Sequence, residues 1–274
     1  MNVRIIVDST ADLLPELKNR VSVVPLTVHF GEEEYIDGVT ITHQEFYEKL
    51  VQGDALPSTS QATPASYEPY FQEVQKAGES AVVITLASKL SGTYQSAVIA
   101  AQEFENIYVV DSECVAIGSG LLTELAVQLA GSGMDAASIA QRLEEEKKNI
   151  RIIAMVDTLE YLKRGGRVSK TVAFAGTLLN IKPILSVAGG EIAMLGKARG
   201  TKQGYRQLLS LLEKDMAADK PVLLGYTGTD DSLLQGFIAD TANFWKQPVR
   251  TTVIGSVIGT HAGPGAVAIA YFCK

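Results

Sequence analysis

Hydroxyl side chains cluster in two short segments that could bind an anion. The loop at residues 57–64 reads PSTSQATP, so that Thr59 and Ser60 lie between two prolines that restrict the backbone. The second segment, Ser91-Gly92-Thr93, follows a strand-like run and opens a predicted helix. Backbone N–H groups at the start of a helix, together with hydroxyl donors, suit the oxygen atoms of a carboxylate or phosphate. The competing interpretation is local, with a polar turn in the loop and a helix N-cap at Ser91.

His261 is a titratable candidate for the same chemistry. It is one of three histidines and lies in residues 259–266, which read GTHAGPGA. Glycine and alanine neighbours allow the backbone to come close to a cleft, where an imidazole could act as a donor or base. A purely structural histidine is the alternative of equal weight.

Two strand-like runs end in the same pair of residues, at Asp8-Ser9 and Asp111-Ser112. The carboxyl ends of parallel strands are where open α/β sheets bind ligands. The favoured interpretation is nevertheless structural: Ser9 and Ser112 cap the following helices, and Asp12 forms a weak capping box with Ser9.

The sequence contains no complete catalytic or metal-binding motif. It lacks G-x-S-x-G, the full Walker A pattern and H-E-x-x-H, and no His, Cys or carboxylate cluster has ligand spacing. We therefore predict no catalytic residue, no metal and no resident cofactor. The basic turns Arg164-Gly165-Gly166-Arg167 and Arg199-Gly200-Thr201-Lys202 are interpreted first as solvated turns and second as docking sites.

The acidic charge balance and the cysteine content bear on partners and location. The 274 residues include 24 basic and 31 acidic side chains, for a net charge of −7. This balance disfavours binding to nucleic acid, because phosphates need a basic face. It also disfavours stable adhesion to anionic membranes, so that only transient membrane contact is expected. The apolar run at residues 266–273 is far shorter than the roughly 20 residues of a transmembrane helix. With no signal-type N-terminus and only 2 cysteines, we expect a cytoplasmic protein.

The elements that would position these residues alternate between strands and helices in the first half. Apolar runs rich in Val and Ile are typical of strands covered on both faces, at residues 3–7, 21–30, 81–86 and 107–110. Intervening segments have helical patterns, such as residues 94–104 and 121–130. The alternation predicts a parallel sheet. A helix over residues 135–148, capped by Asp135, closes a first domain at residues 1–150.

The pattern changes after residue 150. A strand at residues 152–156 and a basic turn precede a hairpin-like pair of strands around Gly189-Gly190. Helix, strand, helix and strand then follow at residues 201–216, 222–226, 232–245 and 249–254. We predict a mixed α+β domain at residues 151–274. The fold class is therefore a two-domain α/β protein, with the ligand bound between the domains.

Motifs in a fixed order resemble the DegV family of bacterial fatty-acid-binding proteins. They are VDSTAD at residues 7–12, STSQ at 58–61, LSGTYQSA at 90–97, RGGR at 164–167, IKP at 181–183 and HAGPGA at 261–266. The resemblance implies a protein that encloses one long-chain fatty acid, such as palmitate, stearate or oleate. It also implies presentation of the carboxylate to an ATP-binding fatty acid kinase subunit, and an acyl phosphate product for phospholipid synthesis.

The resemblance also implies roles for the hydroxyl segments and the histidine. Thr59 and Ser91 look like the carboxylate ligands, with Ser60 and Gly92 beside them in the same segments. His261 is expected close to the head group. No catalytic residue is implied, because the family resembles a carrier subunit rather than an enzyme.

Three arginines are expected to act in the interaction with the kinase subunit rather than in fatty acid binding. Arg199 resembles a family arginine linked to kinase-dependent phosphorylation, and Arg164 and Arg167 would offset charge as a phosphoryl group arrives. The sequence departs from the family pattern at two places, and we transfer no ligand role to residues 26–29. Residues 26–29 read LTVH where some members place an arginine, and alanine rather than proline follows Gln61.

Two other functions stay open at this point. An enzyme acting on a small carbonyl or acyl compound would use His261 or Ser91 as its nucleophile, by analogy with dihydroxyacetone kinase subunits of related architecture. A purely regulatory interaction module would have no ligand pocket.

Overall fold

Three β-sheets organise the described part of the chain, which in this computed structural model comprises residues 2–53, 56–167 and 180–274. The predicted parallel sheet is confirmed. Its strands are β1 (Val3–Asp8), β2 (Ser22–Val24), β6 (Ser80–Thr85) and β7 (Ile107–Asp111), paired in the order β2-β1-β6-β7. All of β6 is buried, because Val82 and Ile84 enter one core while Ala81 and Val83 enter another. A strand covered on both faces requires such a continuous apolar run.

A small sheet interrupts the single strand predicted at residues 21–30. β2 ends at Val24, and β3 (Thr27–Phe30) pairs instead with β4 (Glu33–Ile36) and β5 (Ser58–Ser60). Pro25 lies at the break and has no N–H to donate to a ladder. β5 falls inside the segment predicted as a loop at residues 57–64, so the loop prediction was wrong there. Thr59 pairs with Val28 in an antiparallel ladder.

The helices of the first half cover the parallel sheet and the small sheet. They are α1 (Pro15–Lys18), α2 (His43–Gln52), α3 (Pro64–Ala77), α4 (Thr93–Ala101), α5 (Ala116–Gly131) and α6 (Ala136–Glu146). The predicted cap of α6 is confirmed, since the carboxylate of Asp135 accepts the N–H of Ser138 at 3.0 Å. α5 begins earlier than the helix predicted at residues 121–130.

Ser9 and Ser112 do not cap helices, so that interpretation was wrong. The N-cap positions of α1 and α5 are Leu14 and Val115, with no side-chain hydrogen bond at either. The hydroxyl of Ser9 instead accepts the N–H of Leu26 at 3.1 Å. It thereby ties the end of β1 to the start of the small sheet.

The second half of the chain contributes a mixed sheet. Its strands are β8 (Ile150–Met155), β9 (Ile181–Ala188), β10 (Glu191–Arg199), β11 (Val222–Tyr226), β12 (Thr251–Val253) and β13 (Val267–Phe272), in the order β10-β9-β8-β13-β11-β12. The predicted hairpin is confirmed as β9 and β10, with Gly189 and Gly190 both at positive φ in its turn. The sequence predictions assigned no strand to β13, which lies between β8 and β11 in the interior of the sheet.

Helices of the second half cover one face of the mixed sheet and reach back to the first half. They are α7 (Glu160–Arg164), α8 (Thr201–Asp215), α9 (Ser232–Asp240) and α10 (Ser256–Ala262). The helix predicted at residues 232–245 ends at Asp240. Along β8, Ile153 and Met155 pack with residues of α8 and α9, whereas Ile152 belongs to the core shared with the parallel sheet.

The two halves are joined by contacts at the start of α10. The carboxylate of Asp12 accepts the N–H of Gly255 at 2.8 Å, and the hydroxyl of Tyr47 donates to the carbonyl of Ile254 at 2.8 Å. α10 also packs against α2, β3 and β5 of the first half. We retain residue 150 as the proposed boundary between the two domains. β13 and α10, the last strand and the last helix, each contact elements on both sides of this boundary.

Candidate functional site

A cavity of about 400 Å³ lies between the two larger sheets. One wall consists of residues that follow the carboxyl ends of the parallel strands, among them Leu26, Leu86 and Val115. The opposite wall is one face of the mixed sheet. The volume falls in the range of small-molecule sites, roughly 300–1,000 Å³. This end of a parallel sheet is also where open α/β folds bind ligands.

Small side chains on the mixed sheet create the space. Ala154 on β8 pairs with Ala268 on β13, and both line the cavity. Ala154 pairs on its other side with Leu185, whose larger side chain belongs to a small cluster with Val156. Protein interiors are otherwise close-packed, so methyl groups at two adjoining sheet positions leave room that a ligand can fill.

The polar end of the cavity is formed around Thr59. Because side chains alternate along β5, Thr59 faces inward with its partner Val28, which is fully buried. Its Oγ1 lies 3.1 Å from Nε2 of His261. Ser60 also borders the cavity, but its hydroxyl lies 2.8 Å from Nε2 of His29 on the opposite face of β5. Of the two predicted hydroxyls in this segment, the one that faces the cavity is therefore that of Thr59.

His261 is held as a neutral imidazole. Burial, together with the nearby charge of Arg167, lowers the pKa of His261 to about 4. No hydrogen-bond partner for its buried Nδ1 is found among the described residues. A Cβ at Gly165 would lie 2.2 Å from this Nδ1, so glycine allows the turn after α7 to lie against the ring. A neutral imidazole carries one N–H donor and one acceptor, and both remain usable near neutral pH.

Ser91 and Gly92 border the same cavity from the start of α4. The N-cap residue is Gly92, so the interpretation of Ser91 as the helix N-cap was wrong. The Oγ of Ser91 accepts the N–H of Thr93 at 3.3 Å and lies 2.9 Å from the hydroxyl of Thr93. The structure thus places hydroxyls from two distant segments, Thr59 and Ser91, at one cavity.

Gln61 is a cavity-lining residue that the predicted site did not include. Its Nε2 donates to Oγ of Ser96 at 3.0 Å, which connects the end of β5 to α4. This contact could not be predicted from the sequence, because Gln61 stands in a polar run and its partner lies 35 positions away.

A smaller pocket of about 320 Å³ adjoins the polar end of the cavity. It shares Thr59, Arg167 and His261 with the cavity and adds Arg164 and Tyr161. The guanidinium of Arg167 donates to the carbonyls of Leu90 and Gly165, at 3.2 and 2.5 Å. Arg164 pairs with Glu160 and is largely exposed. Two of the three predicted arginines therefore lie beside the hydroxyl groups.

Arg199 lies apart from both spaces. It is the last residue of β10, it is exposed, and it lines neither the cavity nor the adjoining pocket. Its backbone N–H donates to Oε1 of Gln203 at the start of α8, at 2.7 Å. Arg199 is therefore not among the residues that a ligand in the cavity would contact.

The described residues offer no metal site and no membrane-crossing helix. Within residues 2–53, 56–167 and 180–274, no three His, Cys, Asp or Glu side chains are grouped closely enough to hold a metal ion. None of the helices in these ranges combines the length and the apolar character needed to cross a membrane.

Comparison with known proteins agrees with the resemblance seen in the motifs. A family described as "Uncharacterised protein, DegV family" matches residues 2–274. The chain belongs to the DegV family. A DegV domain-containing protein from Caldanaerobacter subterraneus is 35% identical over 273 residues, covering 97% of each chain.

Solved structures of DegV proteins share the whole fold. A fatty-acid-binding DegV family protein from Thermus thermophilus has a TM-score of 0.90 and 32% identity, covering 100% of both chains. A stearic-acid-binding protein from Eubacterium ventriosum has a TM-score of 0.88 and 29% identity, covering 99% of this chain and 98% of its own. The two-domain α/β architecture of the DegV family is thus the architecture of this chain.

Proposed function

We propose that this protein binds a long-chain fatty acid in the cavity and presents the carboxylate to an ATP-dependent fatty acid kinase subunit. The observation that carries the proposal is a largely apolar cavity that ends at Thr59, Ser91 and His261. Relatives whose structures bind fatty acids, including stearic acid, support the ligand class. Palmitate, stearate and oleate are the proposed ligands.

The tail supplies most of the binding free energy in this proposal. A tail of about 14 methylenes, each contributing roughly 0.8 kcal/mol when buried, amounts to about 11 kcal/mol. Apolar residues from both halves of the chain line the cavity, among them Leu86, Ile152, Val187 and Ile254. Ordering of the chain and of the protein offsets part of this free energy, so the observed affinity is smaller.

The head group is oriented by a small number of donors. A carboxylate removed from water without hydrogen-bond partners is costly, whereas each charge-assisted hydrogen bond contributes roughly 1.5–3 kcal/mol. The hydroxyls of Thr59 and Ser91 are the donors we assign to it, with Nε2 of His261 donating to Oγ1 of Thr59 so that the Thr59 hydroxyl is free to donate to the carboxylate. Because His261 is neutral at pH 7, it can donate one N–H without adding a buried charge.

Presentation to a kinase is supported by the adjoining pocket. Arg164 and Arg167 line it next to His261, and cations at this position would stabilise the charge of an arriving phosphoryl group. Arg199, exposed at the end of β10, is proposed to contact the kinase subunit. The resemblance to the DegV family motivates the further proposal that the acyl phosphate serves phospholipid synthesis in the cytoplasm, with transient membrane contact at delivery.

The rival hypothesis of an enzyme for small carbonyl or acyl compounds has less support. Most of the cavity wall is apolar, and small polar substrates would leave that wall unfilled. Both described hydrogen bonds of the Ser91 hydroxyl involve Thr93, so none of the described residues is bonded to it as a base that could activate it as a nucleophile.

Ligand extraction tests the proposal directly. The purified protein is extracted with organic solvent and the extract analysed by mass spectrometry, and delipidated protein is titrated with palmitate and oleate. We expect one fatty acid per chain and saturable uptake. Addition of an ATP-dependent fatty acid kinase subunit should then yield acyl phosphate. Absence of fatty acid from the extract, combined with no uptake of either lipid, would refute the binding function.

A further inference from the structure

Gln61 connects the two segments that carry the proposed head-group ligands. It follows β5 directly, two positions after Thr59, and its side chain extends to α4. There its Nε2 donates to Oγ of Ser96, a residue only 3% exposed. Within the described part of the chain, this is the only hydrogen bond between residues 58–62 and residues 88–96.

The side-chain amide of Gln61 lies against Gly92. A Cβ at Gly92 would be 2.2 Å from Oε1 and 2.9 Å from Nε2 of Gln61. The φ of Gly92 is −74°, which any residue can adopt, so glycine is not needed here for its backbone conformation. It is needed because a side chain at this position would displace the amide.

One side chain therefore links the two segments that carry the hydroxyl groups of Thr59 and Ser91. Gly92 is the neighbour of Ser91, and Gln61 is two residues from Thr59 along the same strand end. Hydrogen bonds to a carboxylate weaken steeply when donor and acceptor move beyond about 3.2 Å. A shift of either segment by a fraction of an ångström would leave the carboxylate with fewer donors.

We infer that Gln61 is a positioning residue that holds Thr59 and Ser91 at the separation needed to bind one carboxylate together. This inference rests on the proposed fatty-acid-binding function and deepens it. Gln61 is exposed, so its replacement leaves the apolar core intact, although it removes the hydrogen-bond partner of the buried Ser96 hydroxyl. Its effect is on the geometry of the head-group site.

The test uses palmitate labelled with 13C at the carboxyl carbon and bound to the full chain. Hydrogen bonds to the ionised form lower the pKa of a carboxyl group, and their loss raises it. Gln61→Met keeps the length of the side chain but removes the amide, and Gly92→Ala displaces the amide from its place. Each variant should raise the apparent pKa of the bound carboxyl by about one unit and broaden its resonance.

Palmitate affinity and the behaviour of the double variant distinguish a positioning role of Gln61 from a general structural effect. Palmitate affinity should change by less than about tenfold, because the tail contribution is retained. The double variant should shift the carboxyl pKa no more than either single variant, since both act through one contact. Gln75→Met, the same change at an exposed position on α3, serves as the control and should leave the titration unaltered.

Palmitate uptake by the wild-type protein tests the proposed fatty-acid binding, whereas the carboxyl titration of the variants tests the role of Gln61. If wild-type protein takes up no palmitate, the proposed function fails. If palmitate binds but Gln61→Met and Gly92→Ala both leave the carboxyl titration at the wild-type pKa, the inference is overturned. Should Gly92→Ala fail to fold, Gln61→Met alone decides the question, because the exposed substitution leaves the core intact.

Discussion

Oγ1 of Thr59 lies 3.1 Å from Nε2 of His261, although 202 positions separate the two residues in the chain. Thr59 comes from an edge strand of the small sheet and His261 from the last turn of α10. The contact therefore depends on how the second half of the chain docks on the first. The contact between Tyr47 and Ile254 and that between Asp12 and Gly255 hold the start of α10, and through it the histidine, in place.

Thr59→Val should disorder the bound carboxylate while most of the binding free energy of the fatty acid is retained. Valine keeps the shape of the side chain but removes the hydroxyl, so the loss is limited to roughly 1.5–3 kcal/mol for one charge-assisted bond. We expect palmitate affinity to fall by about tenfold to a hundredfold in a displacement assay, with a disordered carboxylate in a crystal structure. Ser91→Ala should behave similarly.

Ser58→Ala is the matched control for the hydroxyl substitutions. Ser58 belongs to the same strand but pairs with His29, so its side chain lies on the face of β5 opposite to that of Thr59; it borders the adjoining pocket and does not line the cavity. Its removal should leave both affinity and carboxylate order unaltered. An equal loss in Ser58→Ala and Thr59→Val would contradict the assignment of Thr59.

The parallel sheet could be predicted because burial on both faces leaves a direct mark on the sequence. β6 reads SAVVIT and is covered on both sides. β5 left no such mark, since Ser-Thr-Ser has no apolar pattern and becomes a strand only by pairing with β3. β13 was overlooked for a different reason. Its apolar run follows a glycine-rich turn near the end of the chain, and its interior position depends on partners far away in sequence.

Polar side chains that line the cavity could be singled out from the sequence, but neither their roles nor the cavity could be derived from it. Thr59, Ser91 and His261 stand out as hydroxyl and imidazole groups in segments with turn residues. Ala154 and Ala268 read as ordinary core residues, and their effect appears only once β8 and β13 pair and face the first half. The basic turn that contains Arg199 stands out in the sequence, but the phosphorylation-linked role of Arg199 came from the family resemblance alone, and Arg199 lies outside the cavity.

Ala154→Leu should shift the bound population toward shorter fatty acids. Leucine would occupy space now open to the tail, and exclusion of two to three methylenes costs roughly 2 kcal/mol, or about thirtyfold in palmitate affinity. Ala268→Leu should act in the same way. Mass spectrometry of lipids bound from an equimolar mixture of chain lengths measures the shift.

Ala193→Leu provides the control for this pair of variants. Ala193 is exposed on β10 of the same sheet and does not line the cavity. Without lipid, Ala154→Leu should be as thermally stable as the wild type or more so, because the new side chain fills empty space. A destabilised variant with an unaltered chain-length profile would show that Ala154 is ordinary core.

The neutral state of His261 predicts a pH-dependent stability. The pKa of His261 falls from 6.5 to about 4 on folding. As pH drops through this window, the unfolded chain binds a proton that the folded protein resists, so the free energy of unfolding decreases. His261→Gln should therefore lose less stability than the wild type between pH 6.5 and pH 4, as measured by urea denaturation without lipid.

Some pH dependence should remain in His261→Gln, because burial also lowers the pKa of His43. The difference between the two proteins should be constant above pH 6.5 and should change only below it. Parallel stability curves across the whole range would mean that His261 protonates equally well in the folded and unfolded chains.

Arg199→Ala should leave lipid uptake intact and impair transfer to the kinase. Arg199 is exposed and lines neither the cavity nor the adjoining pocket, so palmitate affinity should equal that of the wild type. Loss of a charge at the rim of an interface mainly slows association. The kinase subunit concentration needed for half-maximal acyl phosphate formation should therefore rise about tenfold or more, with the maximal rate largely retained.

Arg142→Ala, which removes an exposed charge from α6, controls for net charge. Wild-type turnover by Arg199→Ala at limiting kinase would remove Arg199 from the proposed interface.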